Sequence, residues 1–312
     1  MAKKDLRFDL TVDSTALLQA NPTEFYARLF GMESASSNYR VLPGVKNKTK
    51  IANVLFAELT QAADCDFSAT NSTVSALEVD VCPLMLNTSL CQYELEQSWL
   101  ADQMAKGSNS DFTVASFMTY FWEQMANKAH EEFGKLIWQG DTDGSTSTYL
   151  DLCDGWLKRL CGLSPIRATQ TTVTSSNVIA EMSECLTLLP DEVITSANSN
   201  LQFKVSANIA TAYRIATAST NTINNVTQSL GMTYLDIPIV VEYGLPANTM
   251  LLADKNNFIF VTDLEGDIDS LEIVDFSKTT LDRRIGARAD YKLGAYIVND
   301  EQIVFYGDCT AS

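Results

Sequence analysis

Apolar residues recur at intervals of three and four through Val114, Phe117, Met118, Phe121, Met125, Ala129, Phe133, Leu136 and Ile137. That period predicts an amphipathic helix of about 27 residues, roughly 40 Å long, capped at its start by Ser110 or Asp111. It ends in FGKLIWQGDTDG, Phe133 to Gly144, where Gly140 is expected to stop the helix and Asp141 and Asp143 to shape a turn. A different period governs LEVDVCPLML, where Leu77, Val79 and Val81 alternate with Glu78 and Asp80. With the run that starts at Ile51 this predicts a long two-stranded hairpin reaching Leu90, its tip the polar ELTQAADCDFSATNSTVS. The strands hold too few apolar residues for a core of their own, and an isolated hairpin is marginal in water. Its faces are therefore expected to rest on a partner.

Elsewhere the pattern is mixed. Residues 14–32 carry a short helical pattern (Phe25, Leu29) between Pro22 and Gly31, and Tyr93 to Lys106 a second one stopped by Gly107. Between Ser164 and about Leu230 the chain is rich in Thr, Ser and Asn, with helical patches at NVIAEMSECLTLLPDEV and FKVSANIATAYRIATA. From Tyr234 onward strand character dominates, in DIPIVVEYG, NTMLLAD, NNFIFVTDL, LEIVDF, ARADYKLGAYIV and EQIVFYG. The class is α+β, with no fixed-period repeat.

Composition sharpens this. With 312 residues and 46% hydrophobic content, the chain can bury a substantial core. No window is apolar enough for a membrane span, and MAKKDLRFDLTVD lacks the apolar run of a signal peptide. The Asn-x-Ser/Thr triplets at Asn47, Asn71, Asn87 and Asn225 therefore carry little meaning. The seven cysteines are scattered without any C-x-x-C, which argues against zinc and predicts inert, free thiols in a reducing cytoplasm.

Charge is uneven. The whole chain carries −17, which argues against non-specific nucleic-acid binding. Yet the first fifty residues hold eight basic against five acidic residues. Such a segment is suited to an acidic surface, including another copy of the chain, and Arg28, Arg40, Lys46, Lys48 and Lys50 are the candidate contact residues.

Catalytic chemistry finds little footing. The single histidine, His130, lies in the long helix beside Glu131 and Glu132, reads as a helix-surface residue, and lacks the second histidine of a zinc helix. No phosphate-binding glycine loop occurs. A calcium loop closing on Gly144 would need acids at positions held by Gln139 and Leu150. No catalytic, cofactor-binding or metal-binding residue is assigned, and no cofactor is expected.

The runs PGVKNKTKIANV, VDVCPLMLNTSLCQYELEQSW, EEFGKLIWQGD, TMLLADKNNFIFVTDL and GAYIVNDEQIVFYG, in that order, resemble major capsid proteins of tailed bacteriophages with the Hong Kong 97-like fold. The resemblance implies an N-terminal arm over 1–44 and an extended β-hairpin loop over 45–88. It implies a peripheral domain over 89–163 and 256–288, with a spine helix at 110–138, and an axial domain over 164–255 and 289–312. It further implies a non-enzymatic subunit that assembles with itself, as hexamers and pentamers, into an icosahedral shell around double-stranded DNA without reading its sequence. Scaffolding, portal and possibly decoration proteins would be partners, no membrane would be involved, and assembly would occur in the host bacterial cytoplasm. An encapsulin-type compartment shell shares the fold and is the alternative reading; an acidic hydrolase is a distant third. The arm is expected to contribute few core side chains, so that deleting residues 1–40 would leave the subunit folded.

Overall fold

The computed structural model describes residues 38–56, 72–91, 114–144, 148–195, 200–220, 232–263, 272–276 and 284–309. The expected helices within 14–32 and at Tyr93–Lys106, the Ser110 or Asp111 cap, and the hairpin tip around Cys65 lie outside these residues. Two units divide the chain. The first comprises Met1–Met32, Leu84–His130 and Gly266–Tyr291, and the second Glu33–Pro83, Glu131–Glu265 and Lys292–Ser312.

In the second unit a six-stranded mixed sheet runs in the order β5-β13-β9-β6-β8-β7. Its strands are β5 (Ile166–Arg167), β6 (Leu201–Val205), β7 (Thr233–Tyr234), β8 (Ile237–Val241), β9 (Met250–Asp254) and β13 (Val304–Tyr306). Alternation gives the sheet two faces. Phe203 and Val205, Met250 and Leu252, Val304 and Tyr306 join one buried cluster with Val178, Met182 and Cys185 and with Ile209, Ala212 and Ala216. Those partners belong to two helices, Val178–Leu188 and Ala207–Thr220, called α3 and α5. The intervening residues Lys204, Leu251 and Phe305 point to the other face and are equally buried, each about 1% exposed. A sheet covered on both faces explains why an apolar run such as MLLAD shows no polar alternation.

Two expectations are corrected here. The patch FKVSANIATAYRIATA is a strand followed by a helix, because Phe203–Val205 belong to β6 and α5 starts only at Ala207. The patch NVIAEMSECLTLLPDEV is two helices, α3 and α4 (Asp191–Thr195), since Pro190 lacks the N–H to continue the first. The two-residue turn joining β7 to β8 places Leu235 and Asp236 at positive φ, 46° and 66°, as a hairpin turn of this length requires.

A five-stranded sheet contains β1 (Arg40–Leu42), β10 (Phe258–Thr262), β12 (Arg284–Ile297) and β11 (Glu272–Asp275) in that order, with β4 (Cys82–Cys91) paired to β12. The long helix α1 is Val114–Gln139, about 39 Å at 1.5 Å per residue. Of the described residues of its stripe, Ala129, Phe133, Leu136 and Ile137 are buried and Met125 is half-buried, and Ala126 and Trp138 are buried as well. His130 is exposed on its surface, as expected. After α1 come α2 (Trp156–Gly162) and the turn between them. No described helix is long and apolar enough to cross a membrane.

The hairpin itself is β2 (Thr49–Phe56) antiparallel to β3 (Ser72–Val79). The period-two run is broken at Asp80–Val81, where the chain leaves the hairpin for β4, so LEVDVCPLML is two strands. Its root, moreover, has a core within the chain. Ile51, Leu77 and Val79 cluster with Val45, Ile259, Val261 and Tyr296. The expectation that the hairpin rests wholly on a partner is corrected for this described portion. Lys50 and Glu78 face each other on the opposite side of the pair, so the root is amphipathic.

Candidate functional site

The contacts that hold Asn38–Leu42 and the hairpin root within the second unit form the candidate site. The first fastening lies at Asn38 and Tyr39. Tyr39 packs its ring against Trp156 at 4.6 Å and against Trp138 at 6.4 Å between centroids. Lys204 lies 4.0 Å from the centre of that Tyr39 ring and 5.5 Å from that of Phe258. Its ammonium donates to the Asn38 carbonyl at 3.0 Å and to Glu242 Oε1 at 3.2 Å. Burial holds the Lys204 pKa below its ordinary value, with Glu242 pulling the other way. Burial, reinforced by Glu242, pushes the Tyr39 phenol well above 10.0. A buried charge is tolerated only with partners of this kind, so the ion pair fixes the places of Asn38 and Tyr39. Tyr39 is half-buried against the core, and the rest of the expectation for residues 1–40 lies almost wholly outside the described residues.

The second fastening is the hairpin root. Alternate residues of β12, Lys292, Gly294 and Tyr296, share one face of the strand and meet the root at both of its strands. Lys292 donates to the Lys46 carbonyl at 3.0 Å and pairs with Asp263 at 3.3 Å, while the Val45 N–H donates to the Thr262 carbonyl at 3.2 Å. Tyr296 accepts from the Asp80 N–H at 3.0 Å and donates to the Asp80 carboxylate. Its ring carries the Arg159 guanidinium 3.9 Å from its centre, and its carbonyl accepts from Trp156 Nε1 at 3.1 Å. Gly44, in the Pro-Gly turn before the hairpin, has φ 77°, which a residue with a Cβ adopts only with strain.

Two disulfides join this region, Cys82–Cys153 with Cα atoms 5.9 Å apart and Cys161–Cys309 at 5.7 Å. The expectation of free, inert thiols is thus corrected for four of the seven cysteines. Closing chain segments of 71 and 148 residues corresponds to about 4–5 kcal/mol each in the chain-entropy account. Among the described residues Cys91 and Cys185 remain free. Burial, with Glu184 and Glu181 adding to it, pushes the Cys185 thiol up to about 12, so that one is inert as expected.

The third element is the turn after α1. Lys158 places its ammonium 2.8 Å from Asp141 Oδ1 and 3.0 Å from Asp143 Oδ2. Asp141 also accepts from the Asp143 N–H at 2.9 Å, and Asp154 accepts from the Thr142 N–H and hydroxyl at 2.9 and 2.8 Å. Burial pushes Asp154 up, but the Thr142 donors and the charges of Arg159 and Lys158 outweigh it and hold the carboxyl low. The carboxylates that suggested a metal loop thus surround a cation belonging to the chain. Among the described residues no cluster of three His, Cys, Asp or Glu side chains could hold a metal. Gly140 stops the helix for a reason other than a left-handed cap: a Cβ there would lie 2.1 Å from the Cys153 carbonyl oxygen.

Of the five basic candidates, Arg28 lies outside the described residues. Arg40 is exposed at the start of β1, opposite Ile259 of β10. Lys46, Lys48 and Lys50 are exposed in a row along the hairpin root, and Lys48 pairs with Glu78 at 3.4 Å. Sequence reading did not single out Lys204, Glu242, Tyr39, Tyr296 or Asp80. The one visible signal was a lysine at an alternating position inside the apolar run LQFKV.

No protein-family model matches the chain, and no curated protein does. Solved structures do. A chain of the satellite phage P4 procapsid including the size determination protein matches at TM-score 0.53 with 13% identity, covering 93% of this chain and 98% of that one. A chain from Gordonia phage Cozz matches at 0.55 with 9% identity, covering 87% and 85%. One from the cyanophage A-1(L) capsid asymmetric unit matches at 0.50 with 13% identity, covering 89% and 92%. The chain has a mixed α+β fold that it shares, over nearly its whole length, with these phage capsid structures.

Proposed function

We propose that this chain is a structural, non-enzymatic major capsid protein of the Hong Kong 97-like kind, which self-assembles into the icosahedral shell of a tailed phage around double-stranded DNA. The fold likeness to the satellite phage P4 procapsid chain over 93% of this chain carries the reading. The fastenings support it. Tyr39 and the hairpin root are both held by the second unit, which suits segments whose remaining residues reach a neighbour. In this reading the arm is 1–44, the loop 45–88, the peripheral domain 89–163 with 256–288, and the axial domain the remainder. Arg28, Arg40, Lys46, Lys48 and Lys50 contact acidic surfaces of adjacent copies. The net charge of −17 keeps the packaged genome from adhering to its container. Assembly takes place in the host cytoplasm with separate scaffolding and portal proteins.

The test is to express the chain with and without candidate scaffolding genes and to examine the product by sedimentation and electron microscopy. Closed icosahedral particles that package DNA support the reading. Particles that take up a cargo enzyme and no DNA would favour the encapsulin-type alternative, and a persistent monomer under all conditions would overturn both.

A further inference from the structure

The segment from Cys153 to Cys161 is fastened at both ends. Cys153 is bonded to Cys82 at the hairpin root, and Cys161 to Cys309 just beyond the last strand β13. Between them α2 supplies Trp156 and Leu160, both 0% exposed, and Arg159, which stacks on Tyr296. The hairpin root, the end of α1, the end of β12 and the C-terminal segment therefore converge on seven residues of helix. Noncovalent structure also brings the sulfurs together. Cys82 is positioned by the Asp80–Tyr296 contact two residues away, and Cys309 by the pairing of β13 with β5 and β9. This geometry allows both bonds to be set on a chain already folded. Access is also graded, because Cys153 is 1% exposed whereas Cys82, Cys161 and Cys309 are all partly exposed.

We propose that these two disulfides are a late redox lock, set on the folded chain by a small-molecule disulfide oxidant once it leaves a reducing compartment, and that what they lock is the hairpin root against α2. The exposed Cys82 thiolate attacks the oxidant, forms a mixed disulfide and expels one small thiolate. The buried Cys153 thiolate then attacks the Cys82 sulfur and expels the second, so two cysteine thiols are oxidised and one oxidant disulfide is reduced to two thiols. Cys161 and Cys309 react by the same two steps. The inference rests on the capsid reading only for where the oxidant is met, since a cytoplasm keeps thiols reduced and a released particle leaves it.

The test uses the full-length unassembled chain, prepared fully reduced and then oxidised with glutathione disulfide. Peptide mapping is expected to find Cys82–Cys153 and Cys161–Cys309 only after oxidation, with Cys185 a thiol throughout. Circular dichroism is expected to be unchanged by oxidation. Amide exchange over Val79–Cys82 is expected to slow about tenfold in the oxidised wild type and to stay at the reduced rate in Cys82→Ser, which retains the second bond. A reduced chain that is unfolded would make the bonds folding staples and overturn the lock. So would equal exchange at the root in both states, or a Cys82 that pairs elsewhere or stays a thiol. Because every readout is on the subunit, failure to form shells would count against the capsid reading and leave this one standing.

Discussion

Lys204 and Glu242 form an ion pair, 3.2 Å between Nζ and Oε1, in which the lysine side chain is 1% exposed and the glutamate 11%. The pair lies under the Tyr39 ring and shares its ammonium with the Asn38 carbonyl. Removing one member of a buried pair strands the other charge. Lys204→Met is therefore expected to lose about 3–5 kcal/mol in urea unfolding. Lys204→Met combined with Glu242→Leu should recover most of that loss, because apolar groups of similar volume commonly replace a buried pair at little cost. If the double variant is no better than the single one, the lysine acts through Asn38 and Tyr39 and not through Glu242.

Stability should fall at alkaline pH. Tyr39, Tyr213, Tyr296 and Tyr306 are all raised above the ordinary 10.0, burial being the largest cause in each. The folded chain keeps these protons where the unfolded chain has released them. Their contribution is whole below pH 10 and is lost as pH rises through the folded values. Lys204, held below 10.5, acts in the opposite sense, because the unfolded chain is the one that binds its proton between the two values. Cys185, raised by burial to about 12, acts with the tyrosines, so the urea midpoint is expected to drop above about pH 10. The drop should be shallower in Tyr39→Phe. A midpoint that rises over that range would show the Lys204 contribution to dominate.

The turn after α1 should respond to removal of its internal cation. The wild type is expected to show no change in melting temperature with calcium, because Lys158 already occupies the space between Asp141 and Asp143. Lys158→Met should melt lower and regain part of the loss in millimolar Ca²⁺. Calorimetric binding of micromolar Ca²⁺ by the wild type would refute this account. At the same turn, Gly140→Ala is expected to cost about 2–3 kcal/mol, since its Cβ would meet the Cys153 carbonyl, which the backbone must move to relieve.

How much of this was legible depended on the range of the interaction. The period of α1 and the strands from β8 to β13 could be read because each is set by neighbours a few residues away. Phe203–Val205 were misread as helix because three apolar-rich residues before an amphipathic run fit either period, and only pairing with β8 and β9 decides for a strand. The disulfides were missed because partners 71 and 148 residues apart leave no local spacing. Lys204 and Glu242 are 38 residues apart, and Asp80 and Tyr296 are 216 apart. Such pairs emerge only when sheets fold over one another. The hairpin's amphipathic root was legible as alternation, but which chain covers its apolar face was not, since the covering residues Ile259, Val261 and Tyr296 lie about two hundred residues further on.

The arm proposed for residues 1–44 offers the sharpest test of the proposed function, because Tyr39 near its end is held by defined contacts. Tyr39 is packed on Trp156 and Lys204, so a truncation that keeps it and one that removes it should behave differently. Deleting residues 1–36 removes Arg28 with three other basic and five acidic residues, spares the anchor, and leaves Arg40, Lys46, Lys48 and Lys50 in place. That subunit is expected to fold with wild-type stability and to fail at closing shells, or to close fragile ones. High salt should weaken wild-type shells separately, through Arg40, Lys46, Lys48 and Lys50, since exposed charge pairs are screened beyond about 10 Å at 0.1 M. Deleting residues 1–40 also removes Tyr39, a half-buried aromatic, opens one side of the Lys204 site to water, and is expected to lower the urea midpoint below that of the shorter truncation. Chemical unfolding reads the second effect and sedimentation the first. If the shorter truncation still yields full-sized, equally robust shells, residues 1–36 are not an assembly contact. If both truncations unfold at the same denaturant concentration, Tyr39 is not the anchor.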